Sequence, residues 1–381
     1  MDEARAAVIE QPAFKAAHAP GTDWGLTAKA CLDGLGELPV GANLGFLYAT
    51  DALAGDLGSI LTFLRECSGI EHWIGTTGFG IAASGIEYHD RPALAVMVAA
   101  LPDDSFRMLS PLTGAGDEID ASTRAWMEAN APVLGVVHGD PRNRELPDIV
   151  RRLAAQGPAF LVGGLSASRG ETLQIADRPG AGGLSGVLLS SNLPVATGLT
   201  QGCAPIGPVR RITAAEQNVI EEIDERPALE VFKEDIGELL ARDLRRIGGY
   251  IFAGFPIAGS DTGDYLVRNV VSIDPERQWL AVGEAVEPGR GILFCRRDHD
   301  AATADMQRML AGLKKRGGDK ARAGLYISCL ARGHNLFGSE SEELKLIRQA
   351  LGDIPLVGFF ANGEISNDRL YSYTGVLTLF L

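Results

Sequence analysis

Two short stretches near the C-terminal end carry the residue types best suited to chemistry. The first holds Cys329, Arg332, Gly333, His334 and Asn335; the second holds Phe359, Phe360, Asn362, Gly363 and Glu364. An arginine presents a planar fork that grips a carboxylate through two parallel hydrogen bonds. A glutamate takes an amine, and phenyl rings cover an apolar body. Brought to one crevice, these groups suit a small polar ligand such as an amino acid. The same residues allow two other readings. Arg332 and Glu364 can pair with each other while Gly363 makes a turn, because buried ion pairs can be purely structural. Alternatively, Cys329 is a nucleophile with His334 as its base, and Arg332 favours the thiolate.

Other chemical signatures are missing. The six histidines are scattered, with no HExxH or HxH pair, and no Gly-x-Ser-x-Gly elbow sits between a strand and a helix. The run Gly180–Gly186 is glycine-rich but lacks the lysine and the following helix of a phosphate loop, so it reads as a hairpin or a flexible loop. The five cysteines form no CxxC pair, which argues against a disulfide framework or a zinc site and for a reducing, cytoplasmic setting.

The elements that position the two stretches recur three times, from Leu44 to Leu101, Leu134 to Leu193 and Gly324 to Leu381. Each copy opens with a strand-length apolar run. A helix-like stretch follows, with Leu57, Ile60, Leu61 and Leu64 in the first copy, Ile149, Val150 and Leu153 in the second, and Leu344, Ile347 and Leu351 in the third. A second apolar run then reaches Gly75, Gly163 or Gly358, and a third run closes the copy. Asp23 is placed to cap a helix through Leu35, Pro147 suits a first helical turn, and Ser339 with Glu342 has capping-box spacing. The first two strands of a copy should lie parallel, and the third should return antiparallel. The chemistry-bearing loops then sit at the carboxyl ends of the parallel strands, where open α/β sheets bind ligands. The fold class is therefore α/β (mixed α+β): two related halves with mixed sheets flanked by helices, built from repeated β-α-β-β units.

Gly75 and Gly80 repeat the spacing of Gly358 and Gly363. A gap-free count places Ile81 and Arg169 where the third copy has Glu364. Only the third copy keeps the acid, so one working site is expected there. Between the second and third copies, residues 196–227 form a turn-rich seam, followed by a helix near Phe232–Arg246 and strands at Tyr250–Phe255, Leu266–Ile273 and Trp279–Val286.

Length and 46% hydrophobic content permit a large core and two domains. The net charge of −14 argues against nucleic acid and anionic membranes as partners. The acidic start lacks an apolar stretch, so no signal peptide is read there, and no run is long enough for membrane insertion.

Four segments resemble the FIST family (F-box and intracellular signal transduction proteins). They are Gln201–Pro208, Asp264–Arg268, Cys329–Gly333 with Leu336–Gly338, and Val357–Ile365 leading to Tyr373–Gly375. The resemblance divides the chain into a loosely ordered N-terminus (1–20), an N-terminal FIST domain (21–208) and a C-terminal FIST domain (209–381). It implies a sensory module for a small ligand, with amino acids favoured, acting through a separate signalling partner protein. It adds Tyr265 and Arg268 to the expected ligand contacts Cys329, Arg332, Phe359, Asn362 and Glu364. Some members bind haem and report nitric oxide; that alternative needs an exposed histidine beside an apolar pocket. The N-terminal half departs from the family pattern, with Phe79-Gly80-Ile81 where a small residue, glycine and glutamate are usual.

Overall fold

The computed structural model describes residues 13–257 and 264–381. The first copy runs β1 (Ala13–Pro20), α1 (Trp24–Leu35), β2 (Leu44–Thr50), α2 (Leu57–Ser68), β3 (His72–Gly78), β4 (Gly80–Ala83), β5 (Ile86–His89) and β6 (Ala93–Ala100). The second repeats this order with β7 (Phe106–Leu112), α3 (Ala121–Asn130), β8 (Leu134–Gly139), α4 (Leu146–Ala155), β9 (Phe160–Leu165), β10 (Gln174–Ala176), β11 (Arg178–Gly180) and β12 (Leu184–Leu189). The third opens with β13 (Val195–Gln201).

A long insertion interrupts this third copy. It comprises β14 (Cys203–Pro205), β15 (Arg210–Glu216), β16 (Val219–Ile223), β17 (Arg226–Pro227), α5 (Ala228–Ile236), α6 (Glu238–Ala241), β18 (Ile251–Pro256), β19 (Tyr265–Asp274), β20 (Trp279–Val282) and β21 (Gly291–Arg297). The third copy then resumes with α7 (His299–Lys315), β22 (Ala323–Cys329), α8 (Glu342–Leu351), β23 (Leu356–Ala361), β24 (Glu364–Ser366), β25 (Arg369–Tyr371) and β26 (Thr374–Phe380).

The class is mixed α/β. Each copy has the expected parallel pair, β2 with β3, β8 with β9 and β22 with β23, and an antiparallel third strand, β6, β12 or β26. Side chains alternate by face. Leu44, Phe46 and Tyr48 enter a core shared with Val136, Val162, Ile327 and Phe359 from the other copies. Leu47 and Ala49 point the other way, against Leu57, Ile60 and Leu64 of α2. Burying each such leucine contributes roughly 1.5–3 kcal/mol.

The unit read as strand–helix–strand–strand is preceded in each copy by a further strand and helix (β1 and α1, β7 and α3, β13 and α7), and it contains a hairpin between its second and third strands that leaves its own copy. β4 of the first copy pairs with β23 of the third, β24 of the third with β9 of the second, and β10 of the second with β3 of the first. Each six-stranded sheet is thus completed by a neighbour's hairpin.

Local signals have mixed outcomes. Asp23 caps α1 through a 2.9 Å bond from the Leu26 amide, and Pro147 lies in the first turn of α4. Residues 13–20 of the expected loose N-terminus are instead β1, paired along its whole length with β6; residues 1–12 lie outside the described residues. Ser339 is not a cap, because α8 starts at Glu342. The helix expected near Phe232–Arg246 begins earlier and breaks at Gly237.

Compactness divides the chain differently from a boundary near residue 208. Among the described residues, one unit comprises 13–200, 306–370 and 374–381, and so holds nearly all of the three copies; the other comprises 201–257, 264–305 and 371–373. In the second unit, β21, β15, β16, β20, β19 and β18 pair antiparallel in turn, and β18 pairs back to β21. That closes a six-stranded barrel filled by Ile212, Ile220, Phe232, Phe255 and Phe294.

The parallel pairs depend on glycine at equivalent points. A Cβ on Gly75, Gly163 or Gly358 would lie 1.7 Å from the carbonyl oxygen of Leu47, Val137 or Tyr326. Gly358→Ala should therefore destabilise the protein by about 3 kcal/mol or more in urea unfolding. Gly55→Ala, which meets nothing within 4 Å, should change it by less than about 1 kcal/mol.

Candidate functional site

The third copy gathers a buried cluster of charge. β22 ends at Cys329, and the chain turns through Arg332 and Gly333 before α8; Glu364 begins β24 after the turn at Gly363. Arg332 is fully buried. Its Nε donates to Glu343 Oε1 at 2.8 Å, and its Nη2 lies 2.8 Å from the same oxygen, off the hydrogen-bonding direction. Nη1 and Nη2 have no hydrogen-bond partner, although the guanidinium lies over the Phe337 ring at 5.0 Å. Burial alone would lower the Arg332 pKa, but the Glu343 charge more than compensates, so the guanidinium stays charged.

Glu343 is the anchor of this arrangement. It accepts from Tyr326 Oη, from Ser328 Oγ at 3.2 Å and from the Gly333 amide at 2.9 Å. Gly333 has φ +50°, and a Cβ there would sit 2.6 Å from the Phe360 ring and 3.1 Å from Glu87 Oε2. The backbone can thus offer its amide to Glu343 only where a side chain is absent.

Glu364 is also fully buried. Its Oε2 accepts from Thr374 Oγ1 at 2.6 Å and from the Thr374 amide at 3.2 Å, while Oε1 has no partner. Burial pushes its pKa up to about 8; the bonds from Thr374, the charge of Arg332 and the Cys329 thiol draw it back only in part. Cys329, Arg332 and Glu364 therefore act on one small region. Unpaired guanidinium N–H groups and an unpaired carboxyl oxygen are the groups that complement a carboxylate and an amine.

The other expected residues have different contacts. Phe359 is buried in the shared core, stacked on Tyr48 with ring centres 5.4 Å apart and 5.7 Å from His138. Asn362 is exposed, and its backbone N–H donates to Leu165 O. Tyr265 and Arg268 belong to the barrel unit. There the Tyr265 hydroxyl donates to Cys203 O at 2.6 Å, and Arg268 Nε donates to Glu284 at 2.6 Å.

Strand register corrects the comparison of copies. Glu364 stands opposite Gly164, Ile81 opposite Phe359 and Gln174 opposite Thr76. Ile81 is thus the first-copy equivalent, but the second-copy equivalent is Gln174 rather than Arg169, because the second loop is five residues longer. Arg169 instead bonds Asp90 at 2.8 Å, with Asp51 3.5 Å away. At the position of Cys329 the second copy has Asp140, which accepts from Arg142, Thr172 and the Gly182 amide. Burial alone would raise its pKa, but these donors bring it down to about 2. The second copy is closed by its own bonds, whereas the third leaves donors and an acceptor open.

Glu343 was missed by sequence reasoning. It sits four residues before Ile347, on the buried stripe of α8, and an acid on such a stripe signals a buried partner. A cavity lies beside the turn that carries Arg332. His89 and His334, with ring centres 4.2 Å apart, line this cavity of ≈ 260 Å³. That volume is below the roughly 300 Å³ at which ordinary ligand clefts begin. His89 Nε2 is also taken up by Glu87 at 2.9 Å. No described helix is long and apolar enough to cross a membrane.

Comparison with known proteins gives two family matches, the FIST N domain over residues 43–226 and the FIST C domain over 228–367. An uncharacterised protein of Mycobacterium tuberculosis is 31% identical over 325 residues, covering 81% of this chain and 83% of the relative. An uncharacterised protein of Mycobacterium bovis is 28% identical over 364 residues, covering 91% and 92%. A crystal structure of cyanuric acid hydrolase from A. caulinodans covers 97% of this chain and 99% of that one, at 10% identity and a TM-score of 0.32, too distant to carry an argument.

Two stability measurements follow from the buried charges. Glu343→Ala strands the Arg332 guanidinium and should cost about 3–5 kcal/mol in urea unfolding. Glu364 has a folded pKa of about 8 against an ordinary 4.5, so its protonated form is favoured on folding. Stability from that proton is complete below pH 4.5 and is lost as pH rises through 8. Glu364→Gln should therefore be more stable than the wild type at pH 8, by roughly 2–4 kcal/mol, with the gap closing toward pH 4.5. A gap of opposite sign would mean that the carboxylate is held ionised.

Proposed function

The chain belongs to the FIST family, and on that premise we propose that it is a sensory module that binds an amino acid or a similar small metabolite and reports its bound state to a separate partner protein in the cytoplasm. FIST domains are associated with signal transduction and small-ligand sensing. The observation that carries the reading is a pair of groups in the third copy without a hydrogen-bond partner, the Nη1 and Nη2 of Arg332, of which Nη2 also lies against Glu343, and the Oε1 of Glu364. A ligand carboxylate satisfies the first through a two-point contact, and a ligand ammonium satisfies the second. Leaving such groups buried and unpaired costs about 1–3 kcal/mol each, a cost that a bound ligand removes. Because both lie below the surface, the loops at 329–335 and 359–365 must open for entry, which suits a receptor whose conformation reports occupancy.

Binding should also take a proton from Glu364. An ammonium group favours the carboxylate, so affinity should fall as pH drops below about 8. The test is a thermal-shift screen of the twenty amino acids at about 10 mM, since ligand held by the folded state alone must raise the melting temperature. At least one should raise it in the wild type, more at pH 8 than at pH 6, and the shift should be lost in Glu364→Gln. No shift with any of the twenty, or an equal shift in Glu364→Gln, would remove the amino-acid assignment.

A further inference from the structure

Helix α8, which carries Glu343, is not capped by its own N-cap residue. Ser341 stands at that position with φ +57° and makes no side-chain bond to the helix. The amides at the start of a helix lack partners within it and need an acceptor from outside. Here the acceptor comes from the first copy. Glu87, on β5 of the exchanged hairpin, accepts from the Leu344 amide at 3.4 Å, and its own amide donates to Ser341 Oγ at 2.9 Å. Its Oε2 is bonded to His89 Nε2 at 2.9 Å and lies 3.1 Å from where a Gly333 Cβ would stand. Glu87 is buried, and it lies against both Gly333, which follows Arg332, and Leu344, which follows Glu343.

Strand register identifies the counterpart of Glu87 on the first copy's sheet. Ala82 stands opposite Gly358, and Ile175 stands opposite the equivalent Gly75. Glu87 pairs with Ala82 and Pro179 with Ile175, so Pro179 takes the place of Glu87. A Cβ on Gly58 would lie 3.9 Å from the Pro179 ring. Gly58 is the second residue of α2, as Glu343 is of α8. Where one helix start meets two acids, the other meets a proline and a glycine. The hairpin therefore docks on a neighbour's helix without needing a carboxylate. The carboxylate on the third copy's sheet is also costly. Burial pushes the Glu87 pKa up, the His89 bond draws it back, and the Glu343 charge pushes it up again.

We infer that Glu87 is a positioning residue for the ligand groups of the third copy: by capping α8 and packing against Gly333 it fixes Glu343, and through Glu343 the direction of the Arg332 guanidinium. This role rests on the binding reading of Arg332, and it makes the site the joint work of two copies. Losing a cap loosens the first helical turn, which here is the turn that carries Glu343. A carboxamide at position 87 keeps an oxygen that accepts from the Leu344 amide, whereas a methyl group offers none.

Amide hydrogen exchange of the full chain reads this arrangement without any ligand. Glu87→Ala should speed exchange across residues 333–345 by about five- to tenfold, while residues 44–50 exchange as in the wild type. Glu87→Gln should stay within about twofold of the wild type throughout. Ser341→Ala, at a partly buried position, removes the reciprocal bond and should speed exchange of 333–345 about threefold, which keeps the test open if Glu87→Ala does not fold. In a thermal-shift series with the twenty amino acids at about 10 mM, any shift shown by the wild type should be lost in Glu87→Ala and kept in Glu87→Gln. Were no amino acid to shift the wild type, the amino-acid reading would fall, and the exchange result alone would decide the role of Glu87. The inference is overturned if neither Glu87→Ala nor Ser341→Ala changes exchange of 333–345, if 44–50 opens equally, if Glu87→Gln behaves as Glu87→Ala, or if a stabilising amino acid acts equally on Glu87→Ala.

Discussion

The three-copy unit depends on one constraint: no copy completes its own sheet. Each contributes a parallel pair and an antiparallel third strand, then sends its hairpin to the next copy. On the edges of β3, β9 and β23 that face away from their own copy, backbone groups pair with another copy's hairpin, and buried backbone groups without partners are strongly disfavoured. The shared core is a consequence of that arrangement. So is the meeting of three copies' loops around His89 and His334.

This arrangement makes specialisation at one position possible. The three copies need glycine at 75, 163 and 358 and apolar residues on both faces of their strands, but their loops have no common requirement. At one equivalent position the copies hold Ile81, Gln174 and Glu364; at another they hold Thr50, Asp140 and Cys329. In the first copy Thr50 accepts from the Ala93 amide, and in the second Asp140 is saturated by donors. In the third, charges are buried and left partly open. A site of that kind is costly, and the surrounding unit must supply the stability that offsets it.

Much of the fold is legible in the residues because its signals are local. The i, i+3, i+4, i+7 stripe of α2, the Asp23 cap and the glycines closing the second strands each follow from short-range spacing. The hairpin exchange is not legible, because β4 and β24 are three- or four-residue strands whose partners are set by tertiary geometry. The Arg169 alignment failed for a related reason: a loop five residues longer leaves no trace in a gap-free count. At the site, the residue types pointed to Arg332 and Glu364 but not to the acid that holds Arg332. Phe359 and Phe360 are neighbours in sequence, yet strand alternation sends one into the shared core and the other toward His89.

The exchanged hairpins also bear on how the chain can be made. The pairing of Ala83 with Val357 joins a strand formed early in synthesis to one formed near the end, with the barrel insertion between them. Such distant contacts fold slowly. Until the third copy emerges, the first two expose unpaired strand edges, which are templates for association with other chains. Three separate copies of one such unit could satisfy the same edges as a ring of head-to-tail contacts. Joining them in one chain replaces a requirement for concentration with a requirement for time.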